Sequence, residues 1–151
     1  MKPDSPDTPG ELKTRALRHL ARREHSRAEL ARKLLPFAES QQLLEGLLGE
    51  LEGRKLLSNH RFAEMRAHIL SRKYGAAKIR HDLKSKGVPD EIVASVSAEG
   101  ELERAASIVQ RKYRSPAGSR EEKAKRARFL QSRGFSTDVI RKLIFLSDSE
   151  E

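Results

Sequence analysis

Apolar residues recur at spacings of three and four along most of the chain. The stretch ELKTRALRHLARREH, residues 11–25, places five of them on one face of a helix, namely Leu12, Ala16, Leu17, Leu20 and Ala21. Eight further segments show comparable spacing, most of them bounded by a capping residue, a proline or a glycine. The pattern predicts nine helices in three groups of three. No segment shows the alternation of a strand, so we expect an all-α protein.

Local signals predict where several of these helices begin. Ser26 is expected to cap the second helix, and Glu29 completes the spacing of a capping box, S-x-x-E. Ser58 or Asn59 is expected to cap the fourth helix, because short polar side chains accept hydrogen bonds from the first free N–H groups.

One stretch of the chain is nearly repeated 47 residues later. LKSKGVPDEIVASV, residues 83–96, aligns with LQSRGFSTDVIRKL, residues 130–143, so that Gly87 meets Gly134 at two predicted helix ends. A period of this length is typical of helical repeat proteins. We predict three tandem three-helix repeats. The predicted boundaries are a disordered N-terminus at 1–10, repeats at 11–57, 58–98 and 99–146, and an acidic tail at 147–151.

Composition limits the kind of core that the chain can build. Hydrophobic residues make up 36% and charged residues 35%, which favours several thin cores over one thick one. Cysteine is absent, which excludes disulfides, thiolate nucleophiles and cysteine-based metal sites. No stretch approaches the roughly 18 consecutive apolar residues of a membrane span, and no signal peptide is evident. We expect a soluble, cytoplasmic protein without a membrane partner.

Positive charge follows the predicted repeats. The net charge is +9, which favours polyanionic partners, nucleic acid first and an anionic membrane surface second, with an unspecific basic surface as the alternative. Residues 58–87 carry +6, residues 88–103 carry −5 and residues 104–142 carry +9. If the repeats stack in a row, the basic helices form one long surface, which suits a filament or a phosphate backbone better than a small ligand.

Motifs for catalysis or metal binding are not found in the sequence. His60, Glu64 and His68 follow one another at spacings of four, but ligands on successive turns of one helix rarely converge on one ion. Phosphate-binding and dinucleotide-binding glycine motifs are missing as well. We expect no catalytic residue, no metal site, no cofactor and therefore no enzyme.

The candidate binding residues are basic positions of the second and third repeats. Two basic pairs precede a tyrosine, in SRKY at 71–74 and in QRKY at 110–113. Tyr74 and Tyr113 could stack on bases, although packing at a helix end is the favoured interpretation. For each basic residue, a solvated helix face is an equal alternative. The candidates are Arg72, Lys73, Lys78, Arg80, Lys84, Lys86, Arg111, Lys112, Lys125, Arg126, Arg128 and Arg133.

Three segments together resemble the RecX regulatory family, bacterial modulators of the RecA recombinase. They are ALRHLARREHSRAELARKLL at 16–35, LLSNHRFAEMRAHILSRKYGAAKIRHDLKSKGV at 56–88 and KAKRARFLQSRGFSTDVIRK at 123–142. The resemblance covers roughly residues 13 to 144 in order and spacing. One difference is that Ser58, Asn59 and His60 stand before the Arg-Phe-Ala triplet, where family members commonly have acidic residues.

The resemblance implies tandem three-helix repeats in an elongated, curved molecule. It further implies binding in the groove of the RecA filament on single-stranded DNA, with inhibition of ATP hydrolysis and strand exchange. Recombination and the SOS response would be regulated in this way. We expect a monomer that also binds double-stranded DNA weakly. A stand-alone DNA-binding protein that uses a helix-turn-helix-like pair remains the alternative.

Overall fold

The computed structural model describes residues 5–146, and nine α-helices account for most of this range. No strand is present in it, so the predicted all-α fold is confirmed. A short 3₁₀ turn, Leu35–Phe37, follows the second helix, and a π-helical turn, Arg141–Phe145, extends the ninth. Between residues 5 and 146, no helix is both long and apolar enough to cross a membrane. The helices are α1 Pro9–Arg22, α2 Arg27–Leu34, α3 Gln41–Gly53, α4 Asn59–Leu70, α5 Ala76–Ser85, α6 Asp90–Ala94, α7 Glu101–Lys112, α8 Arg120–Ser132 and α9 Thr137–Ile140.

The first helix begins earlier than the sequence pattern predicted. Thr8 caps α1 in a complete capping box with Glu11, whose carboxylate accepts the Thr8 N–H at 3.1 Å. Asp7 donates its N–H to the Phe37 carbonyl at 2.8 Å and pairs with Arg15 at 2.8 Å. Of residues 1–10, which we expected to be disordered, Pro9 and Gly10 belong to α1, and Asp7 and Thr8 are held by these hydrogen bonds. Residues 1–4 and the acidic tail 147–151 lie outside the described range.

The cap of α2 matches the prediction only in part. Ser26 Oγ accepts the N–H of Glu29 at 3.0 Å, as expected. The capping box also predicted that the Glu29 carboxylate accepts the backbone N–H of Ser26. This prediction is wrong, because the carboxylate instead accepts two hydrogen bonds from the Arg23 guanidinium, at 2.8 and 2.9 Å. A charged guanidinium is the stronger donor and competes successfully with the neutral backbone N–H.

Both residues proposed as the cap of α4 accept a capping hydrogen bond. Ser58 caps α4 itself, accepting the N–H of Arg61 at 3.1 Å. Asn59 instead accepts the N–H of Arg27, the first residue of α2, at 2.9 Å. The start of α4 therefore also holds the start of α2.

The chain divides into two compact units. Unit 1 is built from residues up to Arg66 together with Leu83–Val93, and unit 2 from Ala67–Asp82 together with residues from Ala94 onward. Each unit has its own small apolar core, as the low hydrophobic fraction predicted. The main core of unit 1 comprises Leu12, Ala16, Leu30, Leu34, Leu44, Leu47, Leu48, Leu51 and Leu57. The core of unit 2 comprises Ala105, Ile108, Leu130, Phe135, Ile140 and Ile144.

In unit 2 the end of α8 is joined directly to the start of α5. Gly134, with φ of 88°, ends α8 as predicted. The N–H of Gly75 donates to the Arg133 carbonyl at 2.7 Å, and that of Ala77 to the Gly134 carbonyl at 3.3 Å. The negative end of one helix dipole thus faces the positive end of another. Side chains do not fit here, because a Cβ on Gly75 would lie 2.5 Å from the Gly134 carbonyl oxygen.

Unit 1 contains a corresponding joint between α5 and α2. Gly87, with φ of 78°, ends α5 as predicted, and the Lys86 carbonyl accepts the hydroxyl of Ser26 at 2.8 Å. A Cβ on Gly87 would overlap the methyl group of Ala28. The near-repeat in the sequence therefore encodes the same structural task twice, which is to end one helix with a left-handed glycine against the start of another.

Unit 1 also contains a buried, neutral histidine. His25 is 1% exposed, and its Nδ1 lies 3.0 Å from the Arg23 carbonyl, which assigns the ring proton to that nitrogen. Its Nε2 then accepts a hydrogen bond from the Lys33 ammonium at 2.9 Å. Burial lowers the pKa of His25 and outweighs the hydrogen bond to the Arg23 carbonyl, which raises it, while the charges of Arg23 and Lys33 lower it further. Burial also lowers the pKa of His19, whose ring lies edge-on to that of His25.

We predict that replacing Gly134 by Ala lowers the free energy of unfolding by about 2–4 kcal/mol, from left-handed backbone strain and from overpacking against Lys78. Gly100 is the matched control, because it has φ of 75° but nothing within 4 Å of a built Cβ. Gly100→Ala should cost only about 1–2 kcal/mol. Urea unfolding measures both, and equal losses would show that the joint needs no close approach.

We also predict that the protein loses stability as the pH falls from neutral through the range just below 6.5. The unfolded chain takes up protons on His19 and His25 there, whereas the folded protein, in which both pKa values are lowered, does not. The His25→Gln variant should start less stable but show a flatter pH dependence of the free energy of unfolding. His60→Gln, which changes an exposed side chain, is the control and should keep the wild-type slope.

Candidate nucleic-acid interface

Ion pairs balance much of the positive charge in unit 1. Lys13 pairs with Glu50 at 2.7 Å and Arg61 with Glu24 at 2.8 Å. Arg27 binds two carboxylates, those of Glu45 and Glu52. The basic helices α1 and α2 are in this way tied to acidic residues of the same unit.

The described part of unit 2 has fewer acidic side chains with which to balance its charge. Its described part holds 16 Lys or Arg residues against seven Asp or Glu. One of the seven, Asp138, pairs with both Arg141 and Lys142, at 3.5 and 3.2 Å. Arg141 and Lys142, in the π-helical turn that follows α9, are therefore partly neutralised. The excess charge lies elsewhere in the unit.

Three aromatic rings of unit 2 hold four of the candidate cations. The Lys78 Nζ lies 5.0 Å from the centre of the Tyr74 ring, and the Arg133 Cζ lies 5.4 Å from the same ring. Arg133 also lies 5.1 Å from the centre of the Phe129 ring. These distances are within the range of cation–π attraction.

The same arrangement continues on the other side of Phe129. The Lys112 Nζ lies 4.0 Å from the Phe129 ring and 5.7 Å from the Tyr113 ring, and the Arg126 Cζ lies 4.5 Å from Tyr113. The Tyr113 and Phe129 rings meet edge to face, with centres 6.0 Å apart. We call this alternating set the cation–aromatic ladder. In order it runs Lys78, Tyr74, Arg133, Phe129, Lys112, Tyr113, Arg126.

Helix ends position the ladder. Tyr74 and Tyr113 each follow the last turn of a helix, and their N–H groups donate to Leu70 at 2.9 Å and Val109 at 2.8 Å. Tyr74 directly precedes Gly75, whose N–H is bonded to the Arg133 carbonyl. The joint between α8 and α5 therefore sets where Arg133 meets the Tyr74 ring.

A buried carboxylate also binds the start of α5, in addition to the two carbonyls at the end of α8. Glu101, the first residue of α7, is 6% exposed and accepts the N–H of Ala76 at 2.5 Å. Its carboxylate also lies 3.7 Å from the Arg104 guanidinium. A negative charge at a helix N-terminus is stabilised by the helix dipole. Sequence reasoning gave Glu101 no role, since nothing local links it to a helix 25 residues away.

The three rings are half-buried, in keeping with the packing role that the sequence favoured for the tyrosines. Each ring carries two of the protein's own cations, which compete with any base for its face. Phe129 belongs to the ladder and also packs, half-buried, against the core of unit 2. The repeated RKY ending of α4 and α7 was the one sequence signal for this arrangement.

Some candidate residues also have clear structural contacts. The Arg80 guanidinium donates to the Val96 carbonyl at 2.7 Å, and its Nε is buried without a hydrogen-bond partner. The Arg111 guanidinium donates to the Arg72 carbonyl at 2.8 Å. Replacing Arg80 or Arg111 would therefore disturb the fold as well as any binding surface.

The remaining candidates fall into two groups. Lys84, which is exposed, and Lys86, which is half-buried, belong to unit 1 and are not part of the ladder. The others are exposed residues of unit 2 whose side chains form no hydrogen bond or ion pair with residues 5–146. This second group consists of Arg72, Lys73, Lys125 and Arg128.

Among residues 5–146, no three His, Cys, Asp or Glu side chains are grouped so that they could hold an ion. His60 and His68 are exposed on α4. What unit 2 offers chemically is a set of fixed positive charges that suits a polyanion.

Two family models match the chain. The second three-helix domain of RecX matches residues 58–96, and the third matches residues 99–144. The regulatory protein RecX of Leptothrix cholodnii is 44% identical over 92% of this chain and 90% of its own length. That of Ralstonia nicotianae is 43% identical over 95% and 92%.

Two crystal structures share the fold. RecX from Lactobacillus salivarius superposes with a TM-score of 0.81 at 20% identity, covering 93% of this chain and 97% of that one. A second regulatory protein RecX gives a TM-score of 0.74 at 23% identity, covering 90% and 72%.

We predict that Glu101→Gln lowers the free energy of unfolding by about 1–3 kcal/mol, because Arg104, whose side chain is 25% exposed, loses its counter-charge. Glu103→Gln, an exposed change in the same helical turn, is the control and should stay within about 0.5 kcal/mol of wild type. Urea unfolding measures both. Equal effects would show that the buried carboxylate has no special role.

Proposed function

The chain belongs to the RecX family of regulatory proteins, and on that basis we propose that it regulates recombination by binding the RecA filament on single-stranded DNA. The bound protein slows ATP hydrolysis and strand exchange by the recombinase, and through this it modulates the SOS response. It acts in the cytoplasm as a monomer, without a cofactor and without catalysis of its own.

The observation that best supports this proposal is the excess of positive charge in unit 2. The described part of unit 2 holds sixteen basic residues against seven acidic ones, and four of the cations lie over aromatic rings. A recombinase filament carries the phosphates of its DNA along its axis, so a set of fixed cations suits it electrostatically. Phosphate contacts of this kind position a protein and need no base-specific group.

A stand-alone DNA-binding protein is the second candidate, and the same charge favours it. The two functions differ in which form of DNA is bound best. A simple DNA-binding protein binds bare DNA tightly at low salt and loses affinity steeply as salt rises. A filament regulator gains further contacts from the recombinase, so it binds coated strands better than bare ones.

We predict that the protein binds RecA-coated single-stranded DNA more tightly than bare single-stranded DNA across a salt series, and that it slows ATP hydrolysis by the filament. Fluorescence anisotropy and a coupled ATPase assay measure the two effects on the same samples. Equal affinity for both forms, together with unchanged hydrolysis, would refute the proposal and leave the stand-alone DNA-binding function.

Substitutions in the same assay test whether unit 2 provides the contacts. Lys73, Lys125 and Arg128 are exposed and form no hydrogen bond or ion pair with residues 5–146, so changing them together to Gln removes no structural contact in that range. We expect filament affinity to fall by about tenfold, since three phosphate contacts are removed. The charge-matched control changes three exposed residues of unit 1 to Gln, namely Arg18, Arg22 and Arg32. An equal fall in the control would assign the effect to net charge alone.

A further inference from the structure

The cation–aromatic ladder holds its charges in an unusual way. Cations on protein surfaces are commonly held by carboxylates, as Lys13 is held by Glu50 in unit 1. In the ladder, Lys78, Lys112, Arg126 and Arg133 rest on rings. Two of them donate in addition to backbone carbonyls, Lys78 to Ser132 at 3.2 Å and Arg126 to Ser115 at 2.7 Å. None of the four pairs with a carboxylate of residues 5–146.

This way of holding a cation leaves its charge intact. A ring attracts a cation through its quadrupole and carries no net charge, so the side chain is oriented without being neutralised. Because Lys78 and Arg133 share the Tyr74 ring, at 5.0 and 5.4 Å from its centre, their separation cannot exceed the sum of these distances, which is close to the Debye length of about 10 Å at 0.1 M salt. The four charges therefore repel one another, and a polyanion would relieve that repulsion.

We propose that the ladder is a site for a run of adjacent phosphodiesters in a single-stranded nucleic acid, and that Tyr74, Tyr113 and Phe129 are its positioning residues. The site deepens the proposed function, on which it rests for its biological setting, but it binds nucleic acid without the recombinase. The cations contact the phosphates. The rings hold the cations in place and do not read the bases.

The alternating order of the ladder is what favours adjacent phosphates over a single anion. Successive cations share a ring, from Lys78 through Arg133 and Lys112 to Arg126, so the positive charge is extended rather than concentrated. Phosphates along one nucleic-acid strand form a similarly extended series of charges, about 3.4 Å apart along a helix axis and further apart when the strand is stretched. A flexible single strand can adjust this spacing to the cations.

Binding of fluorescent oligo-dT to the protein alone, across a salt series, tests the cations. We expect the Lys112→Gln and Arg133→Gln double variant to bind about tenfold more weakly and to reduce the slope of log affinity against log salt by about 1.4. Arg18→Gln with Arg32→Gln removes the same charge from unit 1 and should leave the slope close to wild type. Equal slopes for the two double variants would overturn the site.

Changes to the rings test the positioning role at constant charge. Tyr74→Leu and Tyr113→Leu, singly and together, should weaken oligo-dT binding by about threefold to tenfold, because the cations lose the faces that orient them. Tyr74→Phe and Tyr113→Phe keep those faces and should bind like wild type. Thermal unfolding checks that each variant is folded, and the single variants serve if the double does not fold. Wild-type binding by folded Leu variants would overturn the positioning role.

Other ligands identify which part of the nucleic acid is bound. An abasic oligonucleotide should bind within about twofold of oligo-dT if the rings do not stack on bases, whereas a loss of more than about tenfold would overturn the backbone-only site.

Inorganic polyphosphate should compete with oligo-dT for the site, and failure to compete would count against phosphate recognition. Rigid duplex DNA should bind more weakly, and tighter binding of the duplex would overturn the preference for a single strand.

The outcome for the ladder is separable from the outcome for the proposed function, because the oligonucleotide assays contain no recombinase. If wild type fails to slow ATP hydrolysis by the filament but oligonucleotide binding follows the ladder variants, the proposed function fails and the site stands. If hydrolysis is inhibited but the ladder variants bind oligonucleotide like wild type, the site fails and the proposed function stands.

Discussion

The close contact of two glycines is the constraint on which unit 2 depends. Gly75 opens α5 and Gly134 closes α8, and backbone hydrogen bonds join the two ends where no side chain fits. Tyr74 and Arg133 are the residues that directly precede these glycines. The contact therefore does more than end a helix, because it also brings the first rings and cations of the ladder together. The backbone hydrogen bonds hold these two helix ends together in a chain that has few hydrophobic residues for a large core.

The two units treat positive charge in different ways. In unit 1, carboxylates form ion pairs with Lys13, Arg27 and Arg61. These pairs partly neutralise the positive charge of that unit. In unit 2 rings and carbonyls hold the cations, and the charge stays available to a partner. Such an arrangement costs stability through repulsion, and the glycine joint together with the buried Glu101 helps to offset that cost. Membership of a family of regulators accords with a protein whose chemistry lies in its charges rather than in a reactive group.

Local signals in the sequence predicted much of the fold. The nine helices and the stops at Gly87 and Gly134 were predicted correctly, because spacing and left-handed glycines act within a few residues. The capping box at Ser26 was only half right, since Arg23 competes for the Glu29 carboxylate. Arg23 lies outside the S-x-x-E motif, so the motif alone could not predict that it would compete for the carboxylate.

The site was less predictable, because it joins residues far apart in the chain. Sequence composition identified the basic residues of unit 2. It could not show that Arg80 and Arg111 donate to carbonyls while Lys73 and Arg128 have no partner among the described residues. Nor could it place Arg133 over the Tyr74 ring, because that contact depends on the backbone joint.

The joint between Gly75 and Gly134 has a consequence for biosynthesis. A ribosome releases the start of α5 well before the end of α8, and during that interval the N–H of Gly75 has no Arg133 carbonyl to bind. Tyr74 and Lys78 are likewise made before three of the four ladder cations exist. Contacts between distant segments form late in folding because the intervening loop must first be closed. A nascent or prematurely terminated chain that ends before α8 therefore cannot assemble the ladder, because Arg126, Phe129 and Arg133 lie on that helix or directly after it.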